Sequence, residues 1–436
     1  MKKVFPNKKN SNNTSNSSKN WLQRLKDESW EAELLVSTVS IFGTFQLFGL
    51  IDWWTNNLID NLNPNQYYVG YFIVFFGLFA ISILASMFII HFFLRAYWVG
   101  LVGLNSVFPD YSIENSAYSR IYTEKILSIL PKLKDSIRKV DDLCSVIFSV
   151  AFTLLLIYMY FALFNSLYLI AYNLLSDYVS KYILLAPLFI FFVLILVQAI
   201  VSIIANVKAN KEKEKLQIVS FKLVKLVSMI SYGPLYKSVM QVTMIFGSNY
   251  KKKKSMIYLL LLFVGSGIIL AFNQINKTNI PYLLTQKHYF DGNRVHSSFY
   301  KIENKNNTFL LSPEIESDMI KKNKSVRLFI PVFNHERRMR EDICDTKDLN
   351  TFSDPREEVK AKLLECYNIY NTVYVNGKKE DVSFIRYDHP RTKQFGILCY
   401  FKVSNLNEGL NTLTVKKDYN SEQNMEWKIP FYFFDE

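Results

Sequence analysis

Five stretches of this chain, residues 34–51, 67–94, 143–164, 182–206 and 256–272, are too apolar and too long for the interior of a soluble domain. Each holds 17 or more mostly uncharged residues. At a helical rise of about 1.5 Å per residue, that length approaches or exceeds the roughly 30 Å of hydrocarbon in a bilayer. The connections between the stretches divide by charge. Seven Lys/Arg precede residue 30, seven lie in 95–139 and eleven in 208–254, whereas 52–66 and 165–181 together hold only Lys181. Basic loops stay on the cytoplasmic side. The pattern therefore predicts five transmembrane helices, a cytoplasmic N-terminus, and an extracytoplasmic location for everything after Phe272.

Tryptophan placement gives the same frame. Trp30 and Trp98 fall at the expected cytoplasmic boundary, and Trp53 and Trp54 just past the outer end of the first span. Indole favours the headgroup layer because one edge is apolar and the other donates a hydrogen bond. The net charge of +13 belongs almost wholly to the membrane half, since the tail after Phe272 holds 25 basic against 23 acidic residues. That distribution assigns the excess to the anionic inner leaflet and argues against a nucleic-acid partner.

The expected organisation is a disordered basic cytoplasmic tail over 1–29, a transmembrane domain over 30–272 with cytoplasmic loops 95–142 and 207–255, and an extracytoplasmic β-rich domain over 273–436. The tail is rich in Lys, Asn and Ser with no apolar core, so it does not read as a cleavable signal peptide. Residues 67–104 are too long for one straight span, which predicts a bend after Arg95. Residues 121–142 read as an amphipathic helix interrupted at Pro131, and 165–175 as an interfacial segment. Residues 216–246 are apolar but carry Lys222, Lys225 and Lys237 and break at Gly233-Pro234. That pattern fits a helix in the inner interface and equally one packed on the cytoplasmic ends of the spans. A run of four lysines at 251–254 marks the inner end of the last span.

The outer domain reads mostly as strand. Residues 325–333 alternate; 372–376 and 382–387 flank an Asn-Gly turn at 376–377; 396–403 and 411–416 form a further expected pair. A helix is predicted over 355–368. The closing loop and strand, with Asn405-Leu-Asn-Glu-Gly-Leu410 leading into alternating residues, resemble the last hairpin of immunoglobulin-like sandwiches, which implies such a sandwich for this domain.

Cys144 lies in the third span as a small packing residue. Cys344 and Cys366 are the natural disulfide pair if the compartment oxidises thiols, leaving Cys399 in a strand; three buried, reduced thiols are the alternative. No phosphate-binding glycine loop, dinucleotide fingerprint or Gly-x-Ser-x-Gly occurs, and His335-Glu336 lacks the second histidine of a metalloprotease helix. His288, His296, His335 and His389 are scattered and read as surface or core residues, so no catalytic residue, metal or cofactor is expected. Within the spans, Glu33 and Arg95 end at one depth and form a candidate intramembrane polar pair.

The segment Leu94-Arg-Ala-Tyr-Trp-Val-Gly-Leu-Val-Gly-Leu104, followed by Asn-Ser-Val-Phe-Pro109, resembles a stretch of uncharacterised multi-pass envelope proteins of Gram-negative bacteria. The resemblance implies an inner-membrane location and no chemistry. The expected function is non-enzymatic: an anchor or relay in the lipid bilayer whose outer domain binds an envelope protein or ligand. The alternative is a channel or transporter component formed by homo-oligomers, with His91, Arg95 and the break at Gly233-Pro234 near the path.

Overall fold

A computed structural model describes residues 30–108, 116–175, 178–249, 255–289, 295–303, 308–321, 325–344, 356–401, 406–418 and 424–434. The expected tail over 1–29 and the lysine run at 251–254 lie outside these residues. The chain divides into two compact units, one of Met1–Ile51 with Phe75–Gln274, the other of Asp52–Val74 with Ile275–Glu436.

The first unit is helical. Its long elements are α1 (Trp30–Asn61), α2 (Tyr67–Val107), α3 (Arg120–Ile129), α4 (Leu133–Leu175), α5 (Lys181–Asn206), α6 (Glu214–Tyr232), α7 (Tyr236–Asn249) and α8 (Ser255–Ile275). The stretches long and apolar enough to cross a membrane are Glu31–Asn61, Pro64–Val107, Arg120–Leu175, Tyr182–Asn206 and Glu214–Ile245, and Leu261–Ile275 forms a shorter apolar helix. The break between α3 and α4 follows from Pro131. Leu130 before it is extended (φ −85°, ψ 135°), as the proline ring demands of its neighbour. Ser119 caps α3, accepting a hydrogen bond from the Tyr122 amide at 3.3 Å.

Two expectations for this unit change. Helix α2 runs unbroken through Arg95 for 41 residues, about 60 Å, where the sequence suggests a bend. Nothing in 67–107 breaks the backbone, so the surplus length continues as helix. Likewise 165–175 continues α4, a single helix of 43 residues, because that segment contains neither glycine nor proline. Ile83, Leu84, Met87 and Phe88 of α2 form a buried cluster with Ile147 and Ala151 of α4 and Phe263 of α8. Gly267 of α8 lies so close to Ile83 that a Cβ there would strike it, a small-residue approach of the kind that holds helices together in lipid.

The segment carrying Lys222, Lys225 and Lys237 is a helical hairpin. Gly233 takes φ +48°, open to glycine and strained for other residues, and with Pro234 it reverses the chain between α6 and α7. Phe221 and Lys225 of α6 line one cleft with Lys237, Met240 and Met244 of α7, an antiparallel pairing about the turn. Helix α6 packs on α5, and both arms pack on α4. Of the two readings the sequence left open, interfacial helix or packing on the helix ends, neither includes this fold-back.

The second unit is a two-sheet β structure. Its strands are β1 (Glu314–Ile315), β2 (Met319–Lys321), β3 (Val326–Pro331), β4 (Asn371–Val375), β5 (Lys378–Glu380), β6 (Ile385–Asp388), β7 (Phe395–Phe401), β8 (Gly409–Asp418) and β9 (Asn424–Phe434). The short helix α9 (Tyr282–Tyr289) precedes them, and α10 (Glu336–Cys344) and α11 (Arg356–Tyr370) lie between β3 and β4. One sheet has the order β1-β3-β7-β6, the other β2-β9-β8-β4-β5. All neighbours are antiparallel except β2 and β9. Leu328 and Ile330, Ile397 and Cys399, Val373, Leu413 and Val415, and Trp427, Ile429 and Phe431 fill one core between the sheets.

The expected pairings change here as well. Asn376 and Gly377 take positive φ of 50° and 82° as an Asn-Gly hairpin turn requires, but the strand they lead to is β5. The segment expected to return across that turn instead holds β6, which pairs with β7 in the other sheet. Strands β7 and β8 belong to different sheets and do not form the pair expected of 396–403 and 411–416.

Candidate functional site

The polar groups of the helical unit converge on Arg95. Glu33 and Ser37 stand one turn apart on α1, His91 and Arg95 one turn apart on α2, and Asp141 lies on α4. The Arg95 guanidinium donates from Nη2 to Glu33 Oε2 at 2.5 Å and from Nη1 to Asp141 Oδ1 at 2.8 Å, with its carbon 4.7 Å from the Trp98 ring centre. Its side chain is 1% exposed. Ser37 donates its hydroxyl proton to the Glu33 carbonyl at 2.7 Å, so at 2.6 Å its oxygen accepts from His91 Nδ1. One planar cation thus joins three helices, the forked geometry that arginine provides and lysine does not. Asp141 was missed in the sequence, although Asp141-Asp142 stand at the inner edge of the third apolar run, level with Arg95.

In the second unit, the C-terminal end of α1 and the N-terminal end of α2 are built into the β structure. Asp60 accepts hydrogen bonds from the Asn334 amide at 3.0 Å and from Asn334 Nδ2 at 2.6 Å, and its carbonyl accepts from the His335 amide at 2.9 Å. The His335 ring stacks on Phe333, with centroids 5.5 Å apart and 9° between planes, and meets Tyr67 edge-on at 6.3 Å. Tyr67 in turn packs against Tyr282 of α9 and donates to the Ile59 carbonyl at 2.9 Å. Asn279 donates to Asn56 at 2.7 Å. Behind this clamp lies a buried ion pair. Lys417 Nζ donates to Glu336 Oε1 at 2.8 Å and to the Pro331 carbonyl at 2.7 Å, with both side chains 1% exposed. Burial pushes the Lys417 ammonium below its usual range, and Glu336 pulls it back. Burial likewise holds His335 low, opposed by Glu336 and the Asp60 carbonyl and aided by Lys417.

A second buried cluster lies on the four-stranded sheet. His389 Nε2 is 3.0 Å from Glu314 Oε1, and Arg391 donates to Glu314 Oε2 at 2.9 Å. Desolvation lowers the His389 pKa despite the carboxylate. Of the histidines weighed as ligands, His335 and His389 sit in these separate clusters, and His296 packs edge-on to Phe299. Among the described residues, no three His, Cys, Asp or Glu side chains gather so as to hold a metal ion. Cys344 and Cys366 form a disulfide joining α10 to α11, while Cys399 is a buried free thiol whose pKa burial pushes up to about 12.

The outward face of the five-stranded sheet exposes a row of large apolar side chains. In register across three strands stand Met319, Tyr432 and Leu410, at 61%, 47% and 58% exposure, and Phe434 at 41% stacks on Tyr432 with 17° between rings. The same face carries Lys321 and Lys379, then Lys416 and Lys428, which share Glu426 at 3.1 and 3.7 Å. This apolar end lies about 23 Å along β8 from Lys417 and hence from the clamp. Compared with protein family models, curated proteins and solved structures, the chain matches none.

Proposed function

We propose that this chain is an integral inner-membrane protein that displays an extracytoplasmic β-rich interaction domain, acting as anchor and relay without chemistry of its own. The exposed row of Met319, Leu410, Tyr432 and Phe434 carries this reading. Four large apolar side chains contiguous on a rigid sheet outside any long apolar helix are costly in water, and such patches mark binding surfaces.

Crossing parity supports the orientation. The α1–α2 connection folds into one unit with the tail, which requires both on one side. With α6–α7 as a hairpin that enters and returns, α1, α2, α4, α5 and α8 are five crossings, and the basic connections fall together inside. The strand order supports an immunoglobulin-like reading of the sandwich: β1-β3-β7-β6 corresponds to the A-B-E-D sheet and β9-β8-β4-β5 to G-F-C-C′. The inserted α10–α11 pair departs from that pattern, as does a disulfide that ties helices instead of the two sheets.

The test uses the full chain in its native membrane with a photoreactive amino acid at Leu410 or, as control, at Lys378. The expected result is a discrete crosslinked partner from Leu410 only, lost in Tyr432→Ala/Phe434→Ala. Equal or absent crosslinking at both positions would contradict the reading.

A further inference from the structure

The helical unit contains a cavity of about 730 Å³ walled by α2, α4, α5 and the tip of α6. That volume lies within the range of small-ligand sites, roughly 300–1,000 Å³. The wall is consistent in depth on all sides. Phe76 on α2, Asn165 on α4 and Leu188 on α5 lie at one end; Ile83, Leu154 and Ile195 lie at the other. Seven to eleven helical residues separate the two ends, about 10–16 Å. Asn165 stands at the first end and Ser231 on the α6 tip, whereas the rest of the lining is aliphatic and aromatic.

The α6 tip that closes the cavity is held by the hairpin turn. A Cβ on Gly233 would come within 2.5 Å of the Tyr160 ring, so the turn seats directly on α4. The solvent of these helices, on the reading that they lie in a bilayer, is lipid. Helix α5, which forms one wall, exposes Phe189, Ile190, Ile200 and Ile203 on its other faces. A cavity lined by aliphatic and aromatic side chains with a few polar groups, among such faces, matches the chemistry of an amphiphile.

We propose that this cavity is a lipid site that takes an acyl chain, with the lipid's polar end at Asn165 and Ser231 and the chain directed toward Ile83 and Leu154. The site differs from ordinary lipid contact because four helical elements surround the chain. Its occupancy ties the hairpin tip to α2, α4 and α5.

The test reconstitutes the full chain in phosphatidylethanolamine–phosphatidylglycerol vesicles carrying a trace of phosphatidylglycerol with a diazirine in its acyl chain, and maps adducts by mass spectrometry. The expected adducts concentrate on Phe79, Ala80, Ile83 and Leu154, and Ala80→Trp lowers them about tenfold while leaving adducts on Phe189 and Ile200 unchanged. Ile157→Trp, from the α4 wall, gives the same loss and guards against one misfolded variant. Adducts on Phe189 and Ile200 with none in the cavity, or cavity adducts insensitive to both substitutions, overturn the site alone. Absence of adducts on both sets overturns the membrane reading together with it.

Discussion

Lys417 is the least expected residue of the β-rich unit. It stands in a strand of alternating burial at an inward position, where β8 otherwise places Leu413 and Val415. Its ammonium is tolerable there only because Glu336 and the Pro331 carbonyl meet it. Replacing one partner leaves a charge stranded. Glu336→Leu is therefore expected to destabilise the outer domain by about 3–5 kcal/mol, and Glu336→Leu/Lys417→Met to recover most of that, in a double-mutant cycle read by denaturant unfolding. An additive cycle would show that the pair is not coupled. The two buried histidines set the pH response. Burial lowers both below their unfolded value of 6.5, so the unfolded chain binds more protons just below that pH. The stability they contribute is complete above pH 6.5 and is lost as pH falls toward the folded values. Thermal melts should fall through that window, and His335→Gln with His389→Gln should flatten the fall. An unchanged slope in the double variant would remove the histidines from the account.

At the scale of elements, what the sequence made legible was local. Apolar runs and the sidedness of charge located the long helices because both depend on residues near one another, and Pro131 marked the α3–α4 break by its own ring. Three things were not local. The first span was read as ending at Ile51, yet α1 continues to Asn61, because Thr55, Asn56, Leu58 and Ile59 are buried within the second unit. Strand β9 was not anticipated, and it holds Pro430, a residue that inner strands seldom contain. The structure accommodates it where β2, whose register begins opposite Tyr432, has not yet started, and the Pro430 carbonyl accepts from Tyr300 at 2.5 Å. The α6–α7 hairpin was not anticipated: the sequence left an interfacial helix and packing on the helix ends equally open, and the structure packs α6 on α5 and both arms on α4. Of the site, Glu33 and Arg95 were named from depth alone, but the Asp60 clamp joins residues more than 270 positions apart and left no local signal. Helices α10 and α11 add an element-scale prediction. Their disulfide closes a loop of 22 residues, so Cys344→Ser/Cys366→Ser should cost about 3 kcal/mol and lower the midpoint of the outer domain by about 6–12 °C. A midpoint equal to that of the oxidised wild type would show that the bridge contributes nothing.

For the whole molecule, the division into two units runs through α1 and α2: Asp52–Val74, the C-terminal end of α1, the N-terminal end of α2 and the connection between them, belongs to the same compact unit as the sandwich. The proposed orientation depends on the α1–α2 connection and the tail sharing one side while the α5–α6 connection lies on the other. Single cysteines at Asn57, Lys378 and Lys211, placed in a background with Cys144 and Cys399 replaced by serine, can be probed with a membrane-impermeant maleimide in sealed vesicles whose outward face is the extracytoplasmic one. The account predicts labelling at 57 and 378 before lysis and at 211 only after it. Labelling of 211 in intact vesicles, or protection of 378 while 57 is labelled, would contradict it.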